Sequence, residues 1–229
     1  SLSGKMSIEV IINGDKDFFY VSLKDRLTRA GISIVDTPSE KTIKIGIDID
    51  DDSDIMIVPG LTTNTRSKII ISIHDLLIPS GKNKWGSNMI YEWLEHIKNN
   101  KKPKLDPEKA YYWVNIKDAV EAIVTLLLSD VFSDINGHLH LCGRRAWFND
   151  LVFEELEMLW LRYTNSVNYS HTIESLSRIP NPVKENRKNN RIRPNLSFLN
   201  DEMLRAGGDG WHPPTPLRIG LMELLAQNL

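Results

Sequence analysis

Two imidazoles and a thiol alternate in the run His138-Leu-His-Leu-Cys142. In an extended strand alternate side chains share a face, so the three could converge on one ion, and zinc favours nitrogen and sulfur ligands of this kind. A fourth ligand has no evident source, and ordinary strand residues explain the pattern equally, so no metal is expected. Asp48, Asp50, Asp52 and Asp54 resemble the start of a calcium loop, but neither the central glycine nor the later bidentate glutamate follows. A solvated turn accounts for them. The one dense basic stretch is Lys184, Arg187, Lys188, Arg191 and Arg193, inside a polar, proline-containing segment from Ser177 to Pro194 that reads as a loop. The six tryptophans, Trp85, Trp93, Trp113, Trp147, Trp160 and Trp211, need only core or interface packing to explain them.

The elements that must position these groups follow from apolar periodicity. Ser7 to Ile12 is a β-branched strand, Gly14 to Asp17 a turn, and Phe18 to Ala30 a helix carrying Phe19, Leu23, Leu27 and Ala30 on one stripe. Gly31 ends that helix and Ile32 to Val35 forms a short strand, closed by Asp36-Thr37-Pro38. Further strands are expected at Ile43–Ile49, Ile55–Val58, Lys68–Ile73, Tyr111–Ile116 and His138–Cys142. Helices are expected at Asn88–Asn99, with Met89, Trp93 and Ile97 as its stripe, at Asp118–Ser129, and from Asp150 to about Tyr163 behind an Asn149 cap. A last helix starts at Thr215-Pro216 as a cap followed by proline. Strands that are apolar on both faces and separated by turns or helices suit a parallel sheet.

The chain has 229 residues, 41% of them hydrophobic and 25% charged, enough for one well-buried core or a main domain with a smaller lobe. A net charge of −2 gives no overall basic field and argues against a dedicated nucleic-acid binder. Val120 to Leu128, the longest apolar run, falls far short of the roughly 20 residues of a membrane span. The single cysteine, Cys142, excludes an internal disulfide framework and fits a reducing, cytoplasmic setting. No secretory signal is visible; Ser1 to Lys5 reads as a vector-derived leader and Met6 as the native start.

Two blocks carry a family resemblance: Tyr112-Trp-Val-Asn-Ile-Lys-Asp-Ala-Val-Glu-Ala-Ile, and Asn136-Gly-His-Leu-His-Leu-Cys-Gly143 with the helix from Asn149. Ile69 to Gly81 is a strand running into a glycine-containing loop, and Arg193-Pro194 with Trp211 to Leu221 forms a family-like ending. In this order they resemble the extended short-chain dehydrogenases: nucleotide-sugar epimerases, dehydratases and 4-keto-sugar reductases. The resemblance spans about two thirds of the chain and implies a reduced, Rossmann-like α/β fold with a parallel sheet and a small C-terminal α/β lobe. The expected division is residues 6–130 for the main domain and 131–229 for an intertwined C-terminal, substrate-type lobe.

The resemblance also says what should be present. Such enzymes hold a dinucleotide pyrophosphate on a G-x-x-G-x-x-G-like turn at a helix N-terminus. Here the equivalent span, Asn13-Gly-Asp-Lys-Asp-Phe-Phe-Tyr20, has Gly14 alone, and Asp15 and Asp17 are expected to cap the helix themselves and to repel phosphate. Asp36 stands where an acid would bind the ribose, or is simply a turn aspartate. The family's catalytic tyrosine and lysine are four residues apart, the lysine lowering the tyrosine pKa. Tyr20 and Lys24 match that spacing by chance, on a helix several elements too early. Nine residues separate Val58 from Lys68, where relatives carry their catalytic serine and tyrosine. No catalytic residue is therefore named. In the relatives an arginine in the region of Arg191 and Arg193 pairs with a nucleotide diphosphate; a solvated loop is the other reading.

The expectation is an epimerase/dehydratase-like protein without conventional redox catalysis. NAD or NADP belongs to it only if the family function is retained, with Gly14 and Asp36 as the contact positions. Its expected ligand is a nucleotide-sugar, held by Arg191 and Arg193. The alternative is a non-catalytic binding or regulatory subunit, pairing with itself or with an active homologue. Neither nucleic acid nor membrane is an expected partner.

Overall fold

The computed structural model describes residues 7–62, 66–80, 84–169 and 187–229. Residues 177–186, and Lys184 with them, lie outside the described residues. Six strands form one parallel sheet: β1 (Glu9–Gly14), β2 (Ser33–Ile34), β3 (Ile43–Ile47), β4 (Ile55–Pro59), β5 (Ile69–Ile73) and β9 (Gly137–Leu141). Their spatial order is β2-β1-β3-β4-β5-β9, so the chain reverses direction across the sheet between β1 and β3. The protein is thus a Rossmann-like α/β fold, the class to which the alternating strand and helix pattern points.

Helix α1 (Phe18–Arg29) forms where the stripe is apolar: Phe19, Leu23 and Leu27 are fully buried. It packs with α3 (Ile116–Leu128) on one sheet face, against Val10, Ile45, Ile57, Ile71 and Leu139. Each such side chain contributes roughly 2 kcal/mol by leaving water. A second core joins α2 (Asn88–Lys98), α4 (Asn149–Val167) and α6 (Leu217–Gln227) through Trp93, Phe153, Leu156, Leu221 and Leu224. Trp93 and Phe153 meet edge to face with centroids 6.2 Å apart.

Parallel neighbours usually need a helix to return the chain. Among the described residues the returns from β3 to β4 and from β4 to β5 contain none. The loop Asp48–Asp54 instead folds down on the sheet face opposite α1. A Cβ on Gly46 would lie 2.6 Å from Ser53 Oγ, and Asp54 Oδ2 accepts from Lys44 N at 2.7 Å. Met56, Val58 and Ile70, with Ile49, form a small satellite core on that face.

Several local expectations change. The single strand expected at Tyr111–Ile116 is two short strands, β7 (Ala110–Tyr111) and β8 (Val114–Asn115). Asp75 divides them: its carboxylate accepts Tyr112 N at 2.8 Å and its carbonyl accepts Val114 N at 3.1 Å. β7 pairs with β10 (Trp147–Phe148) and β8 with β6 (Leu76–Leu77). Asn149 is the first residue of α4 rather than its cap; its backbone N–H is bonded to Lys109 O and its Oδ1 is buried. Thr215 does not cap α6, which begins at Leu217. Its N–H and hydroxyl both reach the buried carboxylate of Asp118, at 2.9 and 2.7 Å. Helix α5 (Ser197–Arg205) has no counterpart in the expectations. No described helix is long and apolar enough to cross a membrane.

Candidate functional site

In open α/β sheets ligands bind beyond the carboxyl ends of the strands, where the strand order reverses. Here that point lies between β1 and β3. Gly14 ends β1 with φ +142°, and a Cβ there would stand 2.7 Å from Ile47 O, so the glycine serves a close approach of two backbones. Asp17 caps α1 by accepting Tyr20 N on Oδ1 at 2.9 Å, while Oδ2 accepts the Trp85 indole N–H at 2.8 Å. Trp85 is 1% exposed and stacks on Phe19 with centroids 4.4 Å apart. Lys84 bonds Asp48 at 2.8 Å and approaches Asp15 at 3.7 Å. Asp15 therefore faces Lys84 and does not cap the helix, contrary to expectation; Asp17 caps alone. The residues of this turn do not fit a pyrophosphate: the helix end holds a carboxylate, and an indole covers it.

Asp36 is exposed beyond the end of β2. Tyr20 is buried in the main core while Lys24 points to solvent, so the two form no pair. Their chance spacing is only that.

The carboxyl ends of β5 and β9 gather a different set. Asp75 follows β5 with φ +54° and a side chain only 8% exposed. Its Oδ2 and Oδ1 accept from Arg191 Nη1 and Nη2 at 2.8 and 3.0 Å, a bidentate pair. The guanidinium also lies 4.1 Å over the Tyr111 ring. Burial works against the charge on Arg191, but the Asp75 hydrogen bonds and charge outweigh it and hold its pKa above the ordinary value. Asn189 fixes the same segment: its Oδ1 accepts Ala110 N and its Nδ2 donates to Tyr112 Oη, both at 3.2 Å. Arg193 is exposed and donates from Nη1 to Arg144 O at 3.0 Å. Arg144 in turn donates to Trp211 O at 3.0 Å.

His138 and His140 share the sheet face away from α1, with Ser72 Oγ 2.6 Å from His138 Nε2 and His74 Nε2 3.0 Å from His140 Nδ1. Cys142 does not join them. The strand ends at Leu141, and the thiol lies in the main core, where burial first and then the Asp75 carboxylate push its pKa up to about 12. Among the described residues no group of three or more His, Cys, Asp or Glu side chains could hold a metal ion. Asp48 and Asp54 serve the loop through Lys84 and Lys44 N. Nothing in the sequence singles out Asp75, His74 or Asn189, and it gives Trp85 only a packing role. The one available cue was position: His74-Asp75 directly follows an apolar strand, where this fold class puts ligand contacts. Two surface clefts lie elsewhere, one of about 360 Å³ along α2 beside Tyr91 and His96, one of about 240 Å³ at the opposite end of the strands beside Ile43 and Ile69.

Comparison of the sequence with descriptions of known protein families, and with curated proteins, finds no match. Solved structures do match by shape. RMD from Pseudomonas aeruginosa, complexed with NADPH, aligns over 96% of this chain and 97% of its own with a TM-score of 0.60 and 10% identity. The Bordetella bronchiseptica enzyme WbmG, in complex with NAD and UDP, aligns over 96% and 94% with a TM-score of 0.55 and 9% identity. The human epimerase family protein SDR39U1 with NADPH aligns over 97% and 100% with a TM-score of 0.53 and 9% identity. At such identities the likeness is one of architecture. The chain has the Rossmann-like fold of the extended short-chain dehydrogenase/reductase enzymes, the group that its ordered motifs resemble.

Proposed function

We propose that this chain is a nucleotide-sugar-binding protein of the epimerase and dehydratase type that does not run a dinucleotide redox cycle. The observation that carries this reading is the double use of Asp17. One carboxylate oxygen satisfies the α1 N-terminus and the other holds the Trp85 indole, at the place where the fold otherwise offers N–H groups to phosphate. In the family manner, NAD or NADP would lie against Gly14 and Asp36. Gly14 is occupied with Ile47, and Asp36 stands exposed at the sheet's outer strand. For the ligand the reading draws on Arg191 and Arg193, two guanidinium groups on one short segment at the carboxyl ends of β5 and β9. A pyrophosphate bridge between two such forks suits their planar, bidentate geometry.

Calorimetry with NAD and NADPH is expected to show no binding, and thermal shift with UDP-, GDP- and dTDP-sugars to show a stabilised chain. Stabilisation should be lost in Arg193→Ala. Micromolar binding of either dinucleotide, or a shift indifferent to Arg193, would overturn the reading.

A further inference from the structure

Resting on that reading of the ligand, we infer that Asp75 is a built-in competitor for it: the carboxylate occupies the anion position of the Arg191 fork, and a diphosphate must displace it to bind. Asp75 and Arg191 are 116 positions apart in the chain, yet both donors of the fork are used on this one group, at 2.8 and 3.0 Å. The guanidinium plane is laid over Tyr111 and Nη1 also donates to Ala110 O at 3.3 Å, contacts that serve equally well whichever anion fills the fork. Asp75 reaches this position at a cost. It is a non-glycine residue at φ +54°, in the left-handed region where a side chain strains the backbone.

The pair is unequal in exposure, 30% for the Arg191 side chain against 8% for Asp75. Solvent, and hence a dissolved anion, meets the arginine first. The groups around the fork favour an incoming anion. Arg193, two residues on, donates only once within the described residues, to Arg144 O at 3.0 Å. His74, whose pKa is pulled down to about 4, is neutral above that pH and leaves the positive charge at the fork to Arg191 and Arg193. An anion that displaces Asp75 does not orphan it, because the carboxylate keeps its bond from Tyr112 N at 2.8 Å. The exchange needs no large movement: a segment anchored by Asn189 stays in place while one fork changes partner.

The test uses inorganic pyrophosphate and UDP as probes. Asp75→Asn keeps an oxygen for Tyr112 N and removes the competing charge, and it should tighten binding of both probes at least tenfold over the wild type. Asp150→Asn takes the same charge from the neighbouring Arg187 pair and should change affinity less than twofold. On the wild-type chain, the Arg191 guanidinium nitrogen resonances should move as pyrophosphate is added, a readout that holds even if Asp75→Asn folds poorly. If the wild type binds in an Arg193-dependent way while Asp75→Asn binds no tighter, or Asp150→Asn tightens binding equally, the competitor role is wrong and the ligand reading stands. Arg193-dependent binding with unmoved Arg191 resonances likewise removes the competitor role alone. Absence of binding to the wild type and all variants overturns both.

Discussion

His74 takes its protonation state from its surroundings. Burial first, then the neighbouring His140, pull its pKa from an ordinary 6.5 down to about 4, with Asp75 working the other way and Arg191 and His138 adding to the fall. His138 and His140 are shifted in the same direction, by burial foremost. The sign of the linkage follows: in the unfolded chain these imidazoles bind a proton below about pH 6.5, but in the folded chain His74 stays neutral until about pH 4. Between those values the unfolded state holds more protons, so stability is full above the upper value and declines as pH drops toward the lower one. Urea midpoints measured from pH 7.5 down to 4.5 should fall, and His74→Gln should flatten the decline. A variant that tracks the wild type at every pH would remove His74 as its cause.

At the scale of elements, the contact between α6 and the β6–β8 pair sets two glycine effects against each other. Alanine within a helix is worth about 1 kcal/mol over glycine. A Cβ on Gly220, however, would sit 2.3 Å from Leu77 Cδ2 and 3.2 Å from Asn115 Nδ2. Leu77 is 2% exposed and pinned in β6, so overpacking of roughly 1–3 kcal/mol should win. Gly220→Ala is expected to lower the denaturant midpoint, and a stabilised variant would show that Leu77 can yield. Elements of this kind are legible where their stripes are apolar. Phe19, Leu23 and Leu27 announce α1, and isoleucine runs announce β3, β4 and β5. Helix α5 is hard to read because it is short and fully buries only Leu199 and Glu202, while its other apolar residues, Phe198, Met203 and Leu204, stay partly or largely exposed. The start of α6 is misleading because Thr215 spends its hydrogen bonds on Asp118, 97 positions away. The same blindness covers the candidate site: Arg191 is visible as a basic residue in a loop, but no spacing rule joins it to Asp75. Trp85 over Asp17 is equally non-local, since a sequence shows a missing glycine-rich turn without showing what fills it.

For the molecule as a whole, the sheet is divided by how far the chain travels between neighbouring strands. β3, β4 and β5 follow one another through the short returns Asp48–Asp54 and Gly60–Lys68, whereas β9 reaches β5 only after α2, α3 and everything between Ile73 and Gly137. Closing a loop costs about 0.6 kcal/mol more for each doubling of its length, so the last pairing carries roughly 1.8 kcal/mol of additional entropy over the short ones. Parallel sheets ordinarily fold slowly because every neighbour is a distant one. Among the described residues these returns hold no helix, which makes an exception inside this sheet, a local three-strand nucleus. Truncations at Ile45, Ile57 and Ile71 should therefore slow refolding with φ-values well above that of Leu139, whose truncation should chiefly speed unfolding. Equal φ-values across the sheet would contradict it. Two brief returns between neighbouring strands would then set the order in which the protein assembles.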